Sequence, residues 1–255
     1  MSDSDQESPR SARTVQEFLQ YLWELDGAES EMWYRGHASN LWNLTASIFR
    51  SPARLNNEVI LLKRFMQEAK RHHDEVPSDR WDWLFFAQHH QVPTRLLDWS
   101  EQPLVALFFA AQDSFDIQGD PKTARDGKVW FLRPLALNQE NGFDFAGRDL
   151  PLFGMDEVLE KYFPHEGTLH RQSPIAALAT RSFRRISAQW GTFTICNVDR
   201  ALDLEPSSEK FVTGIDIPAE AKPEIRTQLK RLGLEDRTLY LDLFRLGARL
   251  SEVYG

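Results

Sequence analysis

An α+β fold with a mixed or antiparallel sheet is what this 255-residue chain predicts, on three observations. Segments of helical and of strand periodicity follow one another without the regular spacing of βαβ units. No glycine-rich turn follows the first strand, which excludes both a dinucleotide-binding fingerprint and a P-loop. No stretch reads as a linker or an internal repeat, so residues 1–12 are taken as a disordered leader and 13–255 as one domain.

The elements come in this order. Thr14-Val-Gln-Glu17 fits a capping box, and Val15, Phe18, Leu19 and Leu22 make the apolar stripe of a helix that Gly27 ends. Glu31 to Gly36 reads as a short strand closing in a turn. Asn57 to His73 is an amphipathic helix, with Val59, Leu62, Phe65 and Met66 on one side. A second helix starts at Pro77-Ser78 and runs to His90, and Pro93 stops it. Thr94–Trp99 is a strand, and Ser100 caps a very apolar helix that tolerates Pro103 in its first turn.

Lys128–Leu132 is a buried strand, and Asn138 to Gly154 is irregular, an insertion or a lid. Strands follow at Ile175–Ala179, Trp190–Asn197 and Phe211–Ile217, then two closing helices at Ala221–Leu232 and Glu235–Val253.

Composition narrows the function. The formal net charge is −8, which argues against a general coat for nucleic acid or an anionic membrane and leaves room for a local basic groove. One cysteine, Cys196, rules out an internal disulfide and a cysteine-built zinc site in a single chain. The N-terminus lacks a basic region followed by an apolar one, and no apolar run approaches a membrane span. The expectation is a cytoplasmic protein with no membrane partner.

Three clusters carry polar chemistry. In Trp33-Tyr34-Arg35-Gly36-His37, Arg35 stands at a strand end beside a glycine that permits close approach of a ligand. It is either a clamp for phosphate or carboxylate or a structural arginine paired with a core acid such as Asp98. In Gln88-His89-His90-Gln91-Val92-Pro93-Thr94-Arg95-Leu96-Leu97-Asp98-Trp99-Ser100, polar groups crowd between apolar segments and must form a fixed network. Adjacent histidines on a helix point about 100° apart, so no metal site is expected there. In Arg181 to Phe193, Gln189 leads into Trp190-Gly191 with three arginines nearby. A solvated basic strand edge accounts for that cluster equally well.

Together these clusters resemble the FRG domain, named for its Phe/Tyr-Arg-Gly motif. Tyr34-Arg35-Gly36 with Trp42-Asn-Leu44 is similar to its opening, and Ala87-Gln-His-His90 with Pro93-Thr-Arg-Leu-Leu-Asp-Trp99 resembles its central signature. Pro103 to Ala110 continues it, and Gln189-Trp-Gly-Thr-Phe193 resembles a later motif. The resemblance implies a bacterial or phage-associated protein in a defence-linked context. A strand ending Tyr-Arg-Gly, followed by a strand leading into an alanine-rich helix, also resembles the ADP-ribosyltransferase fold.

That second likeness implies NAD as cofactor and a macromolecular acceptor. It places Arg35 on the NAD phosphates, Asp98-Trp99-Ser100 beside the nicotinamide ribose, and Tyr34 or Trp99 stacked on a ring of the ligand. Gly36, Gln88, His89, Thr94 and Arg95 would complete the binding site. Gln189 falls where the class has a glutamate, and an amide carries no charge to stabilise an oxocarbenium-like transition state. Either Asp98 takes that role beside Arg35 and Gln189, or the chain is a non-catalytic nucleotide- or nucleic-acid-binding module.

Overall fold

A computed structural model describes residues 10–25, 31–72, 76–114, 124–143, 149–165, 172–180, 190–196 and 200–239. The helices described are α1 (Val15–Leu25), α2 (Pro52–Asn56), α3 (Glu58–His72), α4 (Arg80–His89), α5 (Pro103–Ala110), α6 (Pro134–Glu140), α7 (Lys222–Arg231) and α8 (Asp236–Leu239). The strands are β1 (Trp33–His37), β2 (Leu96–Ser100), β3 (Gly127–Leu132), β4 (Ile175–Ala177), β5 (Gly191–Ile195) and β6 (Val212–Ile217). Helices mix with antiparallel strand ladders, which is the α+β class expected. The chain divides into two compact units.

The first unit takes the chain up to Trp42, Ser100–Leu132, and the chain from Val212 on. In it β1 pairs along its length with β3 (Trp33↔Leu132, Arg35↔Trp130, His37↔Lys128), and β3 with β6 (Trp130↔Gly214, Lys128↔Asp216). Tyr34 pairs with Ser100 at the end of β2. One face of this sheet carries Val129, Phe131, Ile215 and Ile217, buried with Phe18 and Tyr21 of α1, Leu107 of α5 and Ile225 of α7. Helix α5 sits unusually close. A Cβ on Gly36 would lie 2.6 Å from the backbone N of Ala110, and Gly127 meets the same turn of α5. Small residues on both partners, with Ala106 and Ala110 on the helix, make that contact possible.

Helix α1 begins as its capping box predicts, with one shift. Thr14 Oγ1 accepts from Glu17 N at 3.1 Å, but the Glu17 carboxylate reaches back to Arg13 N (2.7 Å) rather than to the cap residue. Ahead of it, residues 10–12 of the stretch read as a leader lie along β6: Asp216 N donates to Arg10 O and Ala12 N to Asp216 O. Ala12 is fully buried.

The second unit is Asn43–Trp99 with Arg133–Phe211. There β5 lies between β4 and β2, and α4 is buried nearly all round, its Phe85 ring stacked on Phe193 of β5 at 4.8 Å. The cap of α4 is Asp79, whose carboxylate accepts from Trp81 N and Asp82 N, so the helix starts two residues after the expected Ser78. The stretch read as an insertion or lid is partly core. Asn138 lies in α6 with 1% of its surface exposed, and its amide exchanges both hydrogen bonds with the backbone of Ala176. Leu150 and Phe153 are buried. An amide side chain that mimics a strand residue leaves no periodicity in sequence, which is why the segment looked irregular.

Candidate functional site

Strand alternation divides the Tyr-Arg-Gly motif. Tyr34 and Gly36 face α5: the Tyr34 ring meets Phe131 edge-on at 5.7 Å, and the space at Gly36 is filled by α5 backbone. The close approach that Gly36 permits is therefore that of a helix. Arg35 projects to the other face with His37, Trp130 and Lys128.

On that face Arg35 Nε donates to His37 Nε2 at 2.9 Å. Both the carbonyl O of Trp42 (3.0 Å) and the indole N–H of Trp130 (3.2 Å) lie close to His37 Nδ1. One nitrogen cannot serve both. With Nε2 accepting from Arg35, the neutral ring carries its proton on Nδ1 and gives it to Trp42 O. The Trp130 N–H then points at Nδ1 without bonding it. Lys128 Nζ sits 4.3 Å over the Trp130 ring, a cation–π contact, and 3.8 Å from Asp216. Gly214 makes room for that lysine, since a Cβ there would lie 2.7 Å from Lys128 Cε.

The second unit holds the central signature as the fixed network that its crowding implied. Helix α4 ends in a Schellman turn: Val92 N donates to Ala87 O and Gln91 N to Gln88 O, both at 3.0 Å, with Gln91 left-handed at φ 65°. The turn brings Thr94 back to α4, where its hydroxyl donates to Gln88 Oε1. Gln88 Nε2 then donates to Asp98 Oδ1 at 2.6 Å. Thr94 also exchanges two bonds with Ser47 Oγ, through its N–H (3.1 Å) and its carbonyl (3.3 Å). The chain of bonds Ser47–Thr94–Gln88–Asp98 orients the carboxylate of the one exposed residue in β2.

Other signature residues turn inward. Arg95 is buried and forks onto Glu58, the first residue of α3, with Nε to Oε1 at 2.8 Å. Trp99 is 3% exposed, and its indole N–H donates to Thr194 of β5 at 3.1 Å. Ser100 closes β2, and its Oγ accepts from Gln102 N at 3.0 Å; the N-cap position of α5 falls on Gln102, not Ser100, and carries no side-chain cap bond. His89, last in α4, packs edge-on against His90 at 4.8 Å. Gln189 and the three arginines near it lie outside the described residues.

Two partners escaped the sequence. His37 was legible in principle, because two residues along a strand share a face; Glu58 was not, because 37 residues separate it from Arg95.

The Tyr-Arg-Gly strand thus packs through its glycine on an apolar helix, and a Gln-Thr-Asp network holds the strand that precedes that helix in sequence. Residues 30–118 match the model of the FRG domain. No curated protein and no solved structure matches the chain. No helix among the described residues is long and apolar enough to cross a membrane.

Proposed function

We propose that this FRG-domain chain binds a nucleotide through Arg35, with NAD as the ligand. The observation that carries the reading is the Arg35–His37 pair: an imidazole on the same strand face holds the guanidinium through Nε. A guanidinium grips phosphate bidentately, and a fork whose plane is already set loses less freedom on binding. NAD enters from the resemblance of the Tyr-Arg-Gly strand to that of ADP-ribosyltransferases. Calorimetric titration with NAD tests it. Arg35→Ala is expected to weaken binding at least about tenfold, the loss of one charge-assisted contact, with the melting temperature held. A wild-type chain that binds no NAD at millimolar concentration refutes the reading.

A second reading, ADP-ribosyl transfer to a macromolecular acceptor in a phage-defence setting, is favoured by Asp98 itself. Its carboxylate is exposed on β2 and oriented by Gln88. In the transfer the bond from ribose C1′ to nicotinamide breaks, the acceptor bonds to C1′, and the acceptor's proton passes to a base such as a carboxylate. Asp98→Asn should stop nicotinamide release and leave NAD binding in place. Binding that yields no product with protein, RNA or DNA acceptors supports a non-catalytic sensing module instead.

A further inference from the structure

Trp42 keeps 52% of its surface exposed while its ring stands edge-on to His37, centroids 6.1 Å apart. The loop that presents it is pinned at several points. Lys222 Nζ donates to Ala38 O at 2.7 Å, Asn40 N to Asp126 O at 2.7 Å, and Trp42 N to Ser39 O at 3.3 Å. His37 Nδ1 holds the Trp42 carbonyl from the other side. A large aromatic half exposed on a pinned loop has what a base-stacking platform needs: ring surface within reach of a ligand and little to order on binding. The two aromatics that the resemblance offers for this task, Tyr34 and Trp99, are committed to Phe131 and to Thr194.

We propose that Trp42 stacks on the base of a purine nucleotide whose phosphate Arg35 holds, an assignment that rests on the nucleotide reading above. His37 touches both residues, so cation and indole stand one imidazole apart, much as a ribose sets a base apart from its 5′-phosphate. A bicyclic indole overlaps a purine more fully than a pyrimidine, so the preference falls on adenine- or guanine-bearing ligands.

Equilibrium binding of AMP, NAD and ribose 5-phosphate to the full chain tests the assignment. Trp42→Ala is expected to weaken AMP and NAD on the order of tenfold, the worth of one stacked base, and to leave ribose 5-phosphate within about twofold. Trp42→Phe should recover most of the loss. The substitution is at an exposed ring and keeps the backbone carbonyl that His37 uses, and circular dichroism confirms the fold. Unchanged AMP affinity in Trp42→Ala, with all three ligands lost in Arg35→Ala, overturns the platform and leaves the nucleotide reading standing. Equal loss of ribose 5-phosphate in Trp42→Ala also overturns it, because stacking cannot reach a ligand without a base. A wild-type chain that binds none of the three overturns both.

Discussion

Glu58 and Arg95 are each less than a tenth exposed, and each needs the other. Two unlike charges out of water attract strongly, and removing one takes the countercharge away from the other where water cannot replace it. Glu58→Gln is therefore expected to cost about 3–5 kcal/mol of folding stability, read as a shift in denaturant midpoint at constant slope. Gln91 offers the opposite case. Its left-handed backbone closes the turn after α4, where a Cβ crowds the following carbonyl and glycine does not. Gln91→Gly should raise stability by about 1 kcal/mol, checked by thermal melting. An unchanged melting point would mean that the glutamine side chain makes compensating contacts.

At the level of elements, β1 and α5 act as one piece. Their contact is backbone against backbone at Gly36, where the strand's polar motif and the helix's apolar run meet. Gly36→Ala would force α5 away from the sheet and should destabilise the first unit by about 1–3 kcal/mol, the usual cost of overpacking. Chemical denaturation measures it. If Gly36 served only a ligand, stability would hold while binding fell. The same contact explains why Arg35 is where it is. With Tyr34 and Gly36 committed to the helix side, alternation sends Arg35, His37 and, from β3, Trp130 and Lys128 to the opposite face. That polar and aromatic face was legible only in part, because the sequence offers Arg35 next to Tyr34 and Gly36 without saying that a pleat parts them.

At the scale of the molecule, Lys222 ties three segments together. Only 2% of it is exposed, and its Nζ donates to Ala38 O and to Gln112 O (2.9 Å) while Arg226, one turn on, takes Ala111 O and Asp113. Burial pushes its pKa down to about 8, against the opposing pull of Asp113 and Asp126 and with a smaller push from Arg226. A neutral amine still has two N–H donors for the two carbonyls. The unfolded chain holds this proton up to the ordinary lysine range near 10.5, so between about 8 and 10.5 it binds more protons than the folded chain. Stability from this group then rises with pH across that window. Below pH 8 both states are protonated and the folded one bears the cost of a buried charge. Urea denaturation at a series of pH values should show the rise in wild type and a flatter profile in Lys222→Met; identical profiles would refute the shift.

The sequence by itself determined the α+β class, the FRG signature, the cap of α1 and most strands, because periodicity, capping chemistry and turn residues act over a few neighbours. Even the polar network of the central signature was implied there, since its members Gln88, Thr94 and Asp98 lie within eleven positions. Tertiary structure decided what those groups are for. It paired Arg95 with the glutamate that opens α3, enclosed Trp99 behind Thr194, gave the space at Gly36 to α5, and set Arg35 against His37, whose ring also meets the exposed Trp42. Partners that meet across long stretches of chain obey burial and pairing costs, and those costs are set by where the folded chain brings them, not by the order in which they are written.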